Sequence, residues 1–376
     1  MSETNASQPQ RIPELDGLRA FAVLSVVVYH MAAFSLALPL GPRYVASLIT
    51  YIGPSGVNVF FIISGYIITT LLMRENTAAK KPSLVGFYIR RVFRIVPPLA
   101  LYLLVVLVLQ RAGTIRLPLQ DILWAALFLG DTTLLSADSW FVIHTWSLSV
   151  EEQFYLVFPP LLTFVLGFRS KRVLLTLGPA YVFCTVAELV ARELSVRLSP
   201  IWLNLSALHN FRYIIIGVLL ATHGKLVLSW LKDRSRLWPL GLFAASVLLK
   251  KLLINIPASV SSLGLEPPVV VAASALEPLV CGLFVMWFMQ NPQRCATLRR
   301  PVVQWIGACS YSIYLWQQLF TPVPYLQYGD FLRSPWLAGS AIFACATFSY
   351  YVVERPCIRL GRALARRASL PDGNSR

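Results

Sequence analysis

Arg19 and His30 stand eleven residues apart in the first apolar run of this chain. On a helix that spacing is about 16 Å of rise and close to three whole turns. Both side chains then project from nearly one face. Histidine has an unperturbed pKa of about 6.5, which suits taking a proton from a hydroxyl. Arginine suits a phosphate or another anion. A buried histidine bonded to a neighbouring helix, below a snorkelling arginine, fits the same spacing.

Three other groups carry charge into apolar sequence. The run Trp146-Ser147-Leu148-Ser149-Val150-Glu151-Glu152-Gln153-Phe154-Tyr155 sets two adjacent acids at the start of one. Successive helical residues point about 100° apart, so at most one of Glu151 and Glu152 faces a given partner. That acid could orient His30 or bind acceptor hydroxyls, or both could simply favour the positive end of a helix dipole. Arg212 lies inside a later run and needs a counter-ion, for which Glu151, Glu152 and Glu188 are the candidates. The stretch 87–94 places Arg90, Arg91 and Arg94 among aromatics. Such a mixture fits an adenine nucleotide, through stacking and phosphate pairing, and it also fits a basic loop beside a membrane.

Other chemistries find no support. Ser64-Gly65-Tyr66 is not a G-x-S-x-G elbow and has no strand before it. His144, His209 and His223 fall in different runs without metal-like spacing. No Walker motif or G-x-G-x-x-G appears. The six cysteines form no C-x-x-C pair, so they read as structural thiols, with no metal site and no disulfide framework.

The elements that must position these residues are membrane helices. Hydrophobic residues make up 56% of the 376, charged residues only 13%, and mean hydropathy is +0.64. A soluble domain carries about 25% charge. A crossing needs about 20 apolar residues. Ten such spans are predicted, at 17–38, 56–73, 97–112, 145–167, 173–191, 208–224, 237–254, 268–289, 303–321 and 335–353. The third is the shortest, with Pro97-Pro98 at its start. The segment 118–138 is apolar but holds Asp121, Asp131 and Asp138, which reads as a re-entrant piece covered by protein. With that piece not crossing, 24 of the 33 Lys and Arg fall on one side and 8 on the other. This bias puts both termini in the cytoplasm. It also accounts for the net charge of +16 without a nucleic-acid partner. Glu14, Asp16 and Arg19 at the head of the first run do not suit a cleaved signal. The fold class is therefore all-α and integral to the membrane. Residues 1–11 form a disordered tail, 12–354 the transmembrane domain, and 355–376 a basic cytoplasmic segment that lies on the inner surface as an amphipathic helix.

Read in order, these residues resemble the acyltransferase-3 family of bacterial membrane acyltransferases. Glu14-Leu15-Asp16-Gly17-Leu18-Arg19-Ala20 with Arg19-x10-His30 is similar to that family's Arg-x10-His motif. Gly56 to Tyr66 is similar to its second-helix signature, and Arg91-x-x-Arg94-x-x-Pro97 to its basic cytoplasmic loop. Trp146 to Tyr155 resembles its Trp-Ser-Leu-x-x-Glu-x-Gln-Phe-Tyr block, and Ser310 to Trp316 and Glu354-Arg355-Pro356 close the pattern. The likeness covers about residues 12–360.

The resemblance implies ten transmembrane helices with a re-entrant segment after the third. It implies transfer of an acetyl or other short acyl group from acyl-CoA, a co-substrate rather than a bound cofactor, to a carbohydrate, glycolipid or small lipophilic acceptor in a bacterial inner membrane. His30 would be the catalytic base, helped by Glu151 or Glu152. Arg19, Asp16, Arg90, Arg91 and Arg94 would hold the donor. Arg212, Tyr155 and Trp146 would meet the acceptor. Direct attack and an acyl-histidine relay both fit. Many members have a histidine where this chain has Gln317 and Gln318. Some carry an appended extracytoplasmic esterase-like domain, so this chain is expected to act alone or with a separate extracytoplasmic partner. A transporter, or a non-catalytic subunit of a glycan assembly system, is the rival reading, because ionisable residues in helical spans also mark substrate paths.

Overall fold

A computed structural model of the chain describes residues 12–34, 43–77, 81–131, 135, 139–197, 206–255, 268–321 and 334–368. Among the described residues every regular element is helical. In chain order they are α1 (Pro13–Phe34), α2 (Arg43–Glu75), α3 (Leu84–Arg111), α4 (Leu119–Ala126), α5 (Trp140–Ile143), α6 (Thr145–Pro160), α7 (Ser170–Arg197), α8 (Ser206–Leu231), α9 (Trp238–Asn255), α10 (Pro268–Gln290), α11 (Pro301–Ala308), α12 (Ser310–Phe320), α13 (Pro335–Phe348) and α14 (Arg355–Ala368). Among the described residues, five stretches are long and apolar enough to cross a bilayer by themselves: Tyr51–Glu75, Leu84–Arg111, Ser170–Ala191, Pro268–Gln290 and Pro335–Ala368.

A helix lies over each of the ten predicted spans, but several boundaries move. Pro97-Pro98 is not the start of α3. The helix begins thirteen residues earlier at Leu84, where the Ser83 hydroxyl caps it by accepting from the Gly86 amide at 3.1 Å. The prolines remove two backbone donors from its interior. In the turn they disturb, the Ile95 carbonyl accepts from the Tyr311 hydroxyl at 2.9 Å. The predicted span 303–321 is two helices, α11 and α12, broken at Cys309. The segment 118–138 contains only the short α4 among its described residues, and Asp138 lies outside them. Residues 1–11 and 369–376 also lie outside the described residues.

α1 is the central element. Leu18, Ala22 and Val26 belong to a core shared with α2, α6, α7, α8, α9 and α10. Val23 and Val27, one residue on, belong to a second core with α3, α4, α5, α12 and α13. One helix thus presents two apolar faces, about 100° apart, to two cores. Lipid gives helices no hydrophobic reason to associate, so small residues let backbones touch. A Cβ on Gly65 would meet the Ile214 carbonyl at 2.2 Å, and one on Gly217 would meet the Ile62 carbonyl at 2.2 Å. That reciprocal contact seats α8 on α2.

α14 follows α13 through a π-helical turn, Ser349–Glu354. It sets Gly361 and Ala365 against α3 and leaves Arg359, Arg366 and Arg367 exposed.

Candidate active site

Arg19 of α1, Ser64 of α2, Arg91 and Arg94 of α3, Glu151 and Tyr155 of α6, and Tyr314 of α12 line one cavity of about 100 Å³. Five separate helices supply it, so only the packing around α1 brings these residues together. Ser147, Leu148, Glu151 and Tyr155 all reach it. Their spacing of three and four residues is one face of α6.

The three cavity arginines are not alike. Arg91 Nε donates to Glu152 at 2.8 Å, its terminal nitrogen lies 2.7 Å from the same carboxylate and 3.8 Å from Glu151, and its guanidinium covers the Tyr155 ring at 3.7 Å. Glu151 also accepts from the Ser64 and Tyr155 hydroxyls, the latter at 2.5 Å. Arg91, Glu151, Glu152, Tyr155 and Ser64 are therefore one closed network. Both acids meet Arg91, although only Glu151 lines the cavity. Arg19 and Arg94 make no hydrogen bond or contact ion pair with any described residue. The carboxylates of Asp16, Glu354 and Glu151 act on Arg19 at longer range. Two guanidiniums, each with five N–H donors, face one cavity with those donors uncommitted.

Arg90, predicted for the donor, turns away and pairs with Glu75 at 2.7 Å. Asp16 sits beside Arg19 and under α11, where its carbonyl leaves no room for a side chain at Gly307. Trp146 packs its ring on Phe61, with centroids 6.1 Å apart, and does not line the cavity. Arg212 does not line the cavity. It is fully buried, 2.6 Å from Glu188, and it donates to the Ser274 hydroxyl at 2.7 Å and to the Ser274 and His209 carbonyls at 2.9 and 3.1 Å. Of its three candidate counter-ions, Glu188 is the partner. Lys250, inside the predicted span 237–254, is buried in α9 near Glu277.

His30 sits beyond the Tyr314 end of the cavity. Its ring contacts Tyr29 at 4.9 Å and Trp140 edge-on at 5.9 Å, and the Gln317 side chain lies close enough to bond it. The sequence reading missed its neighbour. His144, set aside for lack of metal spacing, is 2% exposed and electrostatically coupled to His30. Its ring packs against Tyr102 at 5.4 Å and Tyr314 at 5.5 Å. Tyr314 joins the two ends: it lines the cavity, donates its hydroxyl to the His144 carbonyl at 2.9 Å, and lies 2.6 Å from the Ser147 hydroxyl. The signal for His144 was in the sequence. It continues the face of Glu151, Leu148 and Ser147 by one more step of three.

Among the described residues no group of His, Cys, Asp and Glu is arranged to hold a metal. All six cysteines are unpaired. Burial pushes the Cys295 thiol up to about 11, away from thiolate chemistry.

The family described as "Acyltransferase domain" matches residues 12–354. O-acetyltransferase OatA of Staphylococcus aureus (strain NCTC 8325 / PS 47) is 35% identical over 181 residues, which is 45% of this chain and 28% of that protein. The protein of the same name from Staphylococcus aureus (strain COL) gives the same figures. The match thus spans less than a third of the length of these curated relatives. No solved structure matches the chain.

Proposed function

The chain belongs to the acyltransferase-3 family, and on that premise we propose that it moves an acetyl or other short acyl group from acyl-CoA to a hydroxyl of a carbohydrate or glycolipid. One observation carries the reading: Arg19 and Arg94 have no hydrogen-bond or ion-pair partner among the described residues, and they face a cavity whose wall Tyr314 packs on His144, the electrostatic neighbour of His30. Uncommitted guanidiniums suit the phosphates of a nucleotide thioester. A volume of about 100 Å³ holds several waters, at roughly 10–15 Å³ each, or a short acyl arm.

In this reading the chain crosses a bacterial inner membrane ten times, with both termini in the cytoplasm and α4 part of a re-entrant segment. The donor enters from the cytoplasm and its phosphates meet Arg19 and Arg94. The Arg91–Glu151–Glu152 network holds the cavity wall rigid. The acyl arm extends past Tyr314. The acceptor hydroxyl arrives from the other face, gives its proton to His30, and attacks the thioester carbonyl. Arg212 holds α8 to α7 and α10 and does not touch the acceptor. A separate extracytoplasmic partner would receive or present the glycan.

The test is release of free CoA from radiolabelled acetyl-CoA by detergent-purified protein. Wild type should turn over, His30→Ala should lose turnover while melting normally, and Arg19→Ala should mainly raise the KM for acetyl-CoA. Equal background release from all three proteins would end the enzyme reading and favour a transporter or a non-catalytic subunit.

A further inference from the structure

His144 is held in place by its backbone, and its ring is left open. Tyr314 donates to the His144 carbonyl, and Tyr102 donates to the Phe141 carbonyl at 2.6 Å in the preceding turn. Two tyrosine hydroxyls thus pin the α5–α6 junction. The imidazole sits between those same tyrosine rings, yet neither ring nitrogen has a hydrogen-bond partner among the described residues. A neutral imidazole carries one N–H donor and one lone-pair acceptor. Leaving both unmet in a dry site is costly, and native structures rarely do so without a reason. The surroundings supply one. His30 lies within electrostatic range of the ring, and Tyr314, which packs on it, is a wall of the cavity that holds Arg19 and Arg94. His144 therefore neighbours both the base and a wall of the cavity proposed for the donor.

We propose that His144 is a second catalytic histidine, a proton relay between His30 and the sulfur of the departing CoA. The inference rests on the acyltransferase reading above. In the step, the acceptor O–H breaks and its proton goes to His30. The acceptor oxygen bonds to the thioester carbon, the C–S bond breaks, and its electron pair leaves on sulfur. His30 passes its proton, through one bridging water, to the lone-pair nitrogen of His144. The N–H on the opposite nitrogen of His144 goes to the thiolate. The products are the ester and CoA thiol. His30 returns to neutral, and His144 is neutral in the other tautomer until proton exchange with water resets it. A relay of this kind uses both ring nitrogens, which is why the protein bonds neither.

The experiment uses full-length protein in detergent, acetyl-CoA as donor and water as acceptor, with free CoA as readout. His144→Ala should lower turnover about 100-fold or more, in the range of a lost acid–base group, with the KM for acetyl-CoA unchanged. Added imidazole should restore turnover. N-methylimidazole, of similar shape but with one nitrogen blocked, should not. His144→Gln keeps polarity and size but cannot relay, so it should be as slow as His144→Ala, and it decides the matter if the alanine protein fails to fold. Near-wild-type turnover in either variant, or equal rescue by both imidazoles, would overturn the relay and leave His144 as packing. Those outcomes leave the acyltransferase reading standing as long as His30→Ala is inactive. If wild type itself releases no CoA, both readings fall together.

Discussion

Arg212 and Arg94 are both arginines on helices of the same bundle, and their surroundings are opposite. Around Arg212 the protein supplies a carboxylate, a hydroxyl, two carbonyls and an imidazole nitrogen at 2.7 Å. Each of its nitrogens is engaged and nothing is left for a ligand. A similar set surrounds Glu277 nearby, which accepts from Tyr213 and, at 2.6 Å, from Ser246. Around Arg94 and Arg19 the described residues supply a cavity and no contact partner. Burying a charge without a partner is unfavourable, so a satisfied arginine marks architecture, whereas an unsatisfied one at a cavity marks a place for something else. Intramembrane charge alone does not distinguish the two.

The largest effect should come from breaking the satisfied cluster. Glu188→Ala leaves Arg212 buried without its carboxylate. Removing one partner of a buried ion pair costs about 3–5 kcal/mol, so the variant should melt far below wild type in detergent or fail to fold. A Glu188→Ala protein that melts with wild type would mean that the cluster is not structural, and the comparison would fail.

The open arginines should behave in the reverse way. Arg94→Ala and Arg19→Ala remove no hydrogen bond to a described residue and should melt as wild type or slightly higher. Each loses a charge-assisted bond to the donor, about 1.5–3 kcal/mol, so the KM for acetyl-CoA should rise roughly 10- to 100-fold. The charge-conserving Arg94→Lys should recover part of the loss, because a lysine offers a point charge in place of a planar fork. Unchanged KM in both alanine variants would remove the donor from this cavity.

The sequence made the helices and much of this site legible. Apolar runs of bilayer length gave a helix over every predicted span, and Arg19 and His30 do share a single helix. The misses share a cause. Pro97-Pro98 looked like a start because prolines favour a helix's first turn, but α3 runs from Leu84 straight through both. Arg90 and Arg91 looked like Arg94 because a sequence shows charge without partners, and only Glu75 and Glu152, 15 and 61 residues away, set them apart. Arg212 was visible as an odd charge, but its role depended on which of three acids lay within reach. His144 was passed over because its chemistry is read from a three-dimensional neighbour, not from spacing to another histidine.

A smaller effect should sharpen the link between the two ends of the site. Tyr314→Phe keeps the ring on His144 and removes the hydroxyl that holds its carbonyl and meets Ser147. One neutral hydrogen bond contributes about 0.5–1.5 kcal/mol. Turnover should therefore fall about two- to tenfold at constant KM, because the cavity arginines are untouched. A rise in KM with unchanged turnover would place Tyr314 in donor binding alone.

Arg90 gives the finest discrimination, since it stands four residues from Arg94 in the same basic stretch. Its partner Glu75 is 2.7 Å away, and the two side chains are 35% and 36% exposed. Half-exposed pairs contribute at most about 1 kcal/mol, so Arg90→Gln should shift the melting temperature little. Because Arg90 points away from the cavity, the KM for acetyl-CoA should also hold. A general positive potential at this face would predict otherwise, with Arg90→Gln and Arg94→Gln weakening the donor alike and added salt abolishing the difference. Measuring both variants at low and high salt separates these accounts. A large KM effect confined to Arg94 at both salts means that contact in the cavity binds the donor. Equal effects that vanish with salt mean that the basic stretch acts only as a field, and that the contrast between satisfied and open arginines does not govern function.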